Sequence, residues 1–164
     1  MIALGITTLL VLVLCSFAMF SSYSFAALFN YVDLDDMNRV AMDRITRDVR
    51  QANRVKAATA TSLTLEDADG VSEIAYVYNP TDRTLSRVRT GGRQQLILKK
   101  CDRLLFTLGQ RNPKGGTFDV YNPSSLDIVK VVNVSWVCSR TILGRIENTE
   151  SVQTARIVIR KQGT

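Results

Sequence analysis

Leu34-Asp35-Asp36-Met37-Asn38-Arg39-Val40-Ala41-Met42-Asp43-Arg44-Ile45-Thr46-Arg47-Asp48-Val49-Arg50-Gln51-Ala52 is the stretch on which the fold turns. Leu34, Met37, Ala41, Ile45, Val49 and Ala52 recur at helical spacing, which gathers them on one face. Asp35, Asp36, Arg39, Asp43, Arg44, Arg47, Asp48 and Arg50 fill the rest of the surface. Asp35 before Arg39, and Asp43 before Arg47, stand in the acid-first order that supports a helix by a few tenths of a kcal/mol each. The pattern predicts an amphipathic helix whose apolar stripe needs a surface to cover.

Toward the N-terminus the same helix continues but loses its polar face. Residues 1–32 carry no charge, and residues 2–14 are almost wholly aliphatic. A run of roughly 20 apolar residues spans a bilayer as a helix. No Pro interrupts residues 1–52, and the only Gly there is Gly5. A continuous helix over that stretch would be about 78 Å long. Ile2, Leu4, Ile6, Leu9, Leu10, Val13, Leu14 and Phe17 are expected to lie against lipid or against neighbouring helices. A cleaved signal peptide would have a basic segment before the apolar run, and none precedes it, although Ser24-Phe25-Ala26 imitates a cleavage site. A lipoprotein signal would use Cys15, but Leu14 is bulky where that signal needs a small residue. A retained helix also explains why helical periodicity runs on past Val32.

Toward the C-terminus the period changes to two. Strands are predicted at 62–66, 73–78, 84–88, 94–98, 104–108, 129–137 and 155–160. Asp69-Gly70, Asn79-Pro80, Gly91-Gly92, Asn112-Pro113, Gly115-Gly116 and Asn122-Pro123 mark turns between them. The short gaps between the first strands imply antiparallel hairpins. The fold class is therefore α+β: a long N-terminal helix, apolar then amphipathic, laid on an antiparallel sheet. Residues 1–32 form the membrane half, and residues 33–164 the amphipathic half-helix with its β head.

Composition restricts the chemistry. The chain has 164 residues, a net charge of +6 and no His, which removes the commonest general base and metal ligand. No Ser stands beside a base in a recognisable motif, no phosphate-cradling loop occurs, and no cofactor or small-molecule substrate is expected. Glu66-Asp67-Ala68-Asp69-Gly70 offers clustered oxygens, making Asp67 and Asp69 weak metal candidates, but hairpin-turn chemistry explains the same residues. Cys101 and Cys138 could pair if the head faces an oxidising compartment, stabilising it by roughly 4 kcal/mol on the chain-entropy model. Parity opposes the bridge: Leu104, Phe106 and Leu108 point inward, which puts Cys101 out of phase, and only a bend before Leu104 would resolve it. Cys15 reads as an apolar helix residue.

Two stretches resemble type IV pilin-like proteins. Met1-Ile2-Ala3-Leu4-Gly5-Ile6 resembles the residues that follow the prepilin signature of Gly then Phe-Thr-Leu-x-Glu. Residues 41–52 resemble the end of the spine helix in PilW-like minor pilins and J-type type II secretion pseudopilins. Residues 135–144 and 149–153 also resemble prepilin-type proteins. The resemblance implies a non-enzymatic filament subunit, held in a bacterial inner membrane with its head in the periplasm until assembly. Its partners would be other pilin or pseudopilin subunits, the inner-membrane assembly machinery and the lipid bilayer. Both stretches place Met1 a few residues inside a mature pilin, so the reading frame is expected to continue upstream into a basic leader and a Phe-Thr-Leu-x-Glu-like segment. Two other readings remain: a membrane-tethered binding or sensor domain, and a DNA-capturing pilin of a competence system using Arg83, Arg87, Arg89 and Arg93.

Overall fold

A single helix, α1 (Ile2–Gln51), runs without a break through both the apolar and the amphipathic halves of the N-terminal region. Fifty residues at the α-helical rise make a rod of about 75 Å. The computed structural model describes residues 2–117, 119–140 and 150–160. Residues 141–149, which carry part of the resemblance noted above, lie outside them, as does Met1.

The head follows α1 directly. Its strands are β1 (Arg54–Ala58), β2 (Ser62–Glu66), β3 (Glu73–Asn79), β4 (Thr84–Arg89), β5 (Gln95–Leu98), β6 (Cys101–Arg111), β7 (Val120–Tyr121), β8 (Val131–Cys138) and β9 (Ser151–Val158). They form not one sheet but two: a five-stranded meander β1-β2-β3-β4-β5 and a four-stranded sheet ordered β7-β6-β8-β9. Every pairing is antiparallel. The split falls between Leu98 and Cys101, where Lys100 adopts a positive φ of 56° and the Cys101 N–H donates to the Arg83 carbonyl at 2.8 Å. No Gly or Pro marks that break in the sequence, so periodicity alone runs the strands together.

Predicted strands and turns fall where expected, with shifted ends. Residues 104–108 are the middle of the longer β6; of the predicted 155–160, residues 155–158 are the later part of a strand that starts at Ser151, and 159–160 lie beyond its end. Gly70, Gly91, Gly115 and Gly116 take positive φ in the turns. Two strands are unpredicted: β7, whose two residues pair with the end of β6, and β1, an Arg-Val-Lys-Ala-Ala run of weak β propensity. As for β1, it exists because β2 has an open edge beside the end of α1, and pairing outweighs local preference.

The core sits where α1 meets both sheets. Leu34, Ala41, Ile45, Val49 and Ala52 are buried, and Met37 packs against the same cluster. From the sheets come Tyr76, Leu85, Leu98, Phe106, Val134, Trp136 and Ile157. The helix lies against β5 and β9, the terminal strands of the two sheets, so it covers the seam between them. Three contacts along its length hold it in register: Asp33 with Arg140, Asn38 with Trp136, and the Arg50 carbonyl with the Arg160 N–H.

Candidate functional site

The surface that most needs a function is the first half of α1. Ile2 is 83% exposed, Leu4 70%, and Phe17 68%, and Ile6, Leu9, Leu10, Val13 and Leu14 are likewise exposed. Val32 is still 56% exposed, whereas Leu34 is 1%. Burial begins within half a turn, where the head begins. At about 2 kcal/mol per buried aliphatic side chain, the eight predicted residues alone represent on the order of 16 kcal/mol of unrealised burial. That is comparable to the whole stability of a typical domain, about 5–15 kcal/mol. Such a surface favours lipid or other apolar helices over water. By length and composition α1 can cross a membrane, and none of its most apolar window is buried within the chain.

Local chemistry suits an apolar surrounding. The hydroxyls of Thr7 and Thr8 donate back to carbonyls one turn earlier, Thr7 to Leu4 at 3.0 Å and Thr8 to Gly5 at 2.9 Å. Ser22 does the same to Ala18 at 2.8 Å. No hydroxyl among them needs water as a partner, the condition for a helix in hydrocarbon. Cys15 is exposed on this half.

The second half of α1 is locked to the head by polar groups that residue type concealed. Asp48 was expected on the polar face but is buried, 7% exposed. Its Oδ2 accepts from the Arg87 Nε–H at 2.6 Å and from the Tyr76 hydroxyl at 2.6 Å. Burial pushes the Tyr76 phenol well above its ordinary value, and its hydrogen bond to Asp48 adds to the rise. Burial works against the Arg87 charge, but the bond to Asp48 outweighs it and the guanidinium is held more firmly protonated. The Trp136 indole N–H donates to Asn38 Oδ1 at 2.9 Å, again between buried groups. Positions 34, 38, 41, 45, 48 and 52 follow the stripe's own spacing, so Asn38 and Asp48 are stripe members with polar side chains.

The arginines offered for nucleic acid are mostly committed elsewhere. Arg87 is buried against Asp48, Arg83 pairs with Asp102, and Arg89 bonds Asp67 at 2.6 Å. Arg93 alone of the four is exposed and pairs with no carboxylate among the described residues. The oxygens of Asp67 and Asp69 are likewise spoken for. Asp67 Oδ1 accepts from the Ala68 N–H at 2.7 Å, and Asp69 Oδ1 accepts from the Val71 and Ser72 N–H groups at 2.9 and 2.7 Å. Among the described residues no group of three His, Cys, Asp or Glu side chains is placed to hold a metal ion.

Hydrogen bonds from the Ser72 hydroxyl and then from the Ser72 and Val71 amides lower the Asp69 carboxyl to about 2. Its unfolded value is near 3.9. The folded pKa is the lower one, so the stabilisation is complete above about pH 4 and is lost as pH falls toward 2. The stability gap between wild type and Asp69→Ala, measured by urea unfolding, is therefore expected to be constant from pH 5 to 7 and to narrow below pH 4. A gap that is independent of pH would show that the charged carboxylate does not hold this turn.

At the end of the head remote from residues 2–32 lies a cleft of about 910 Å³, lined by Asn53, Arg54, Glu66, Arg111, Asp127 and Lys130 among others. Arg54 bonds Glu66 at 2.8 Å and reaches Asp127 at 3.7 Å, so both signs of charge meet there. Among the described residues that line the cleft, none is a nucleophile paired with a base. Comparison of the chain with protein-family models and with curated proteins gives no match. What the structure defines is an α+β protein with one membrane-capable helix, continuous with a two-sheet head.

Proposed function

We propose that the chain is a non-enzymatic structural subunit of a type IV pilus-like or type II secretion filament, of the minor pilin or pseudopilin kind. In this reading residues 2–32 sit in the inner membrane before assembly and the head stands outside it. On assembly the apolar half-helix leaves lipid and packs among its counterparts in the filament core, aided by the inner-membrane machinery. Lipid tails and apolar helix surfaces are similar environments, so the exchange costs little per residue.

The observation that carries this reading is continuity. A domain that needs only a tether is served by a flexible joint between anchor and head. Here the rod passes from exposed at Val32 to core-lining at Leu34 without a helix break, and its second half is part of the head's core. The head's position is thereby fixed relative to the apolar rod, as a repeating subunit requires. The tethered binding domain draws on the mixed-charge cleft, which a ligand of both signs would suit.

Expressed whole, the protein is expected in the membrane fraction and to resist carbonate extraction. A chain starting at Asp33 is expected to be soluble and monomeric. With Cys introduced at Leu10 or Phe17, oxidative cross-linking in membranes should yield a ladder of oligomers. Cross-linked species no larger than background would sink the filament reading in favour of the tethered domain. Recovery of the whole chain as a soluble monomer trimmed after Ala26 would sink both.

A further inference from the structure

Cys101 and Cys138 stand directly opposite one another on β6 and β8. The Ser139 N–H donates to the Lys100 carbonyl at 3.2 Å, while the Cys101 N–H turns away to Arg83 of the other sheet. A hydrogen bond between the flanking residues, with the Cys101 N–H directed away from Cys138, marks the non-hydrogen-bonded kind of antiparallel site. At such sites the Cα atoms are about 4.5 Å apart and the side chains approach most closely. That spacing lies within the range that disulfides span, about 4.4–6.8 Å.

Simple alternation would point Cys101 away from Leu104 and Phe106. A β-bulge between Cys101 and Arg103 shifts the register by one residue and returns Cys101 to the inward face. Both cysteines are then 0% exposed. The bulge is held from the neighbouring sheet: the Tyr78 hydroxyl reaches the carbonyls of Cys101 at 3.0 Å and Asp102 at 2.9 Å. The Cys101 Sγ–H donates to the Arg103 carbonyl at 3.3 Å; the adjacent Cys138 side chain lowers the Cys101 thiol against the opposing effect of burial, while Cys101 and burial together raise the Cys138 thiol. Cys15 lies far away on the apolar half-helix.

We propose that Cys101 and Cys138 form an intramolecular disulfide, installed by thiol–disulfide exchange and then sealed in the core by the bulge. The Cys101 thiolate attacks one sulfur of a donor disulfide, a glutathione dimer or a disulfide-carrying oxidoreductase, and expels one donor thiolate. The Cys138 thiolate then attacks Cys101 in the mixed disulfide and expels the second. Two protein thiols become one disulfide, the donor disulfide is reduced, and the two protons given up by the protein thiols end on the two donor thiols. Since the finished head buries both sulfurs, the first exchange occurs before this corner closes. The completed bond is then shielded from reductants.

The test uses the whole chain in detergent, unfolded and refolded in a buffer of oxidised and reduced glutathione. It is then denatured and labelled with a mass-tagged maleimide. The expected result is a single tag, on Cys15, before reduction and three tags after it, with a peptide joining residues 101 and 138. A Cys15→Ser chain should take none before and two after. Three tags before reduction, or a bridge that includes Cys15, would overturn the proposal. Reduction should also lower the folding constant of the wild type by roughly several hundredfold, on the loop-entropy relation for this separation. A Cys101→Ala/Cys138→Ala chain should not respond to reductant. None of these readouts depends on whether the half-helix enters a filament.

Discussion

Replacing Asp48 by Ala is expected to lower the melting temperature of the head by roughly 10–20 °C, corresponding to about 3–5 kcal/mol. Among the described residues Asp48 is the only acidic partner of the buried Arg87, and it also receives the Tyr76 hydroxyl. Its loss leaves a guanidinium and a phenol in the core, where an uncompensated charge costs several kcal/mol. Arg87→Ala should have a similar effect, because it strands the carboxylate with Tyr76 alone. The informative variant is the double one, Asp48→Leu with Arg87→Met, which removes both charges while keeping apolar volume. It should recover most of the lost stability, since buried pairs are often replaceable by hydrophobic groups at little cost. If both single variants melt within about 3 °C of wild type, the pair is not buried as described. If the double variant is as unstable as the singles, the pair's contribution lies in shape rather than charge.

The second large effect is expected at Ile45→Asp. Ile45 is 0% exposed in the cluster where α1 meets the sheets. The substitution gives up about 2–3 kcal/mol of apolar burial and forces a carboxylate into a site with no partner, costing several kcal/mol more. The sum approaches the whole stability of a domain this size, so the head is expected to be largely unfolded at 25 °C. Asp43, two residues earlier, is exposed, and Asp43→Ala should change stability by no more than about 0.5 kcal/mol. Circular dichroism and urea titration of the two variants side by side make the measurement. Equal effects would mean that α1 does not cover the sheets.

Much of this architecture was legible in the sequence because it depends on periodicity. The apolar run, the stripe from Leu34 to Ala52 and the alternating strands each leave a repeating signal, and each element formed where that signal lay. What escaped was set by contacts between distant residues. Asn38 and Asp48 sit at stripe spacing, yet their side-chain type argues for solvent until Trp136 and Arg87 are seen to meet them. Arg87 resembled a loop cation for the same reason. The division into two sheets rests on a left-handed Lys100 that no turn residue announces. Parity counted against Cys101 because one bulge residue, invisible to alternation, reverses every inward and outward assignment upstream of Arg103.

The attachment of α1 has a mechanical consequence. Asp33, Asn38 and Asp48 bind the head at successive heights along the helix, over about 22 Å of its axis. Near Asp33 the partner is Arg140, and near Asn38 it is Trp136, so the chain from β8 to Arg140 runs in the direction opposite to the rod. A tug on the N-terminal half along that axis therefore loads these fastenings in shear and all together, instead of peeling them one after another. Rupture then requires several strong contacts to fail in the same event, which raises the force the joint withstands at a given equilibrium stability. A pull across the axis meets them singly, and the head should come away far more easily in that direction.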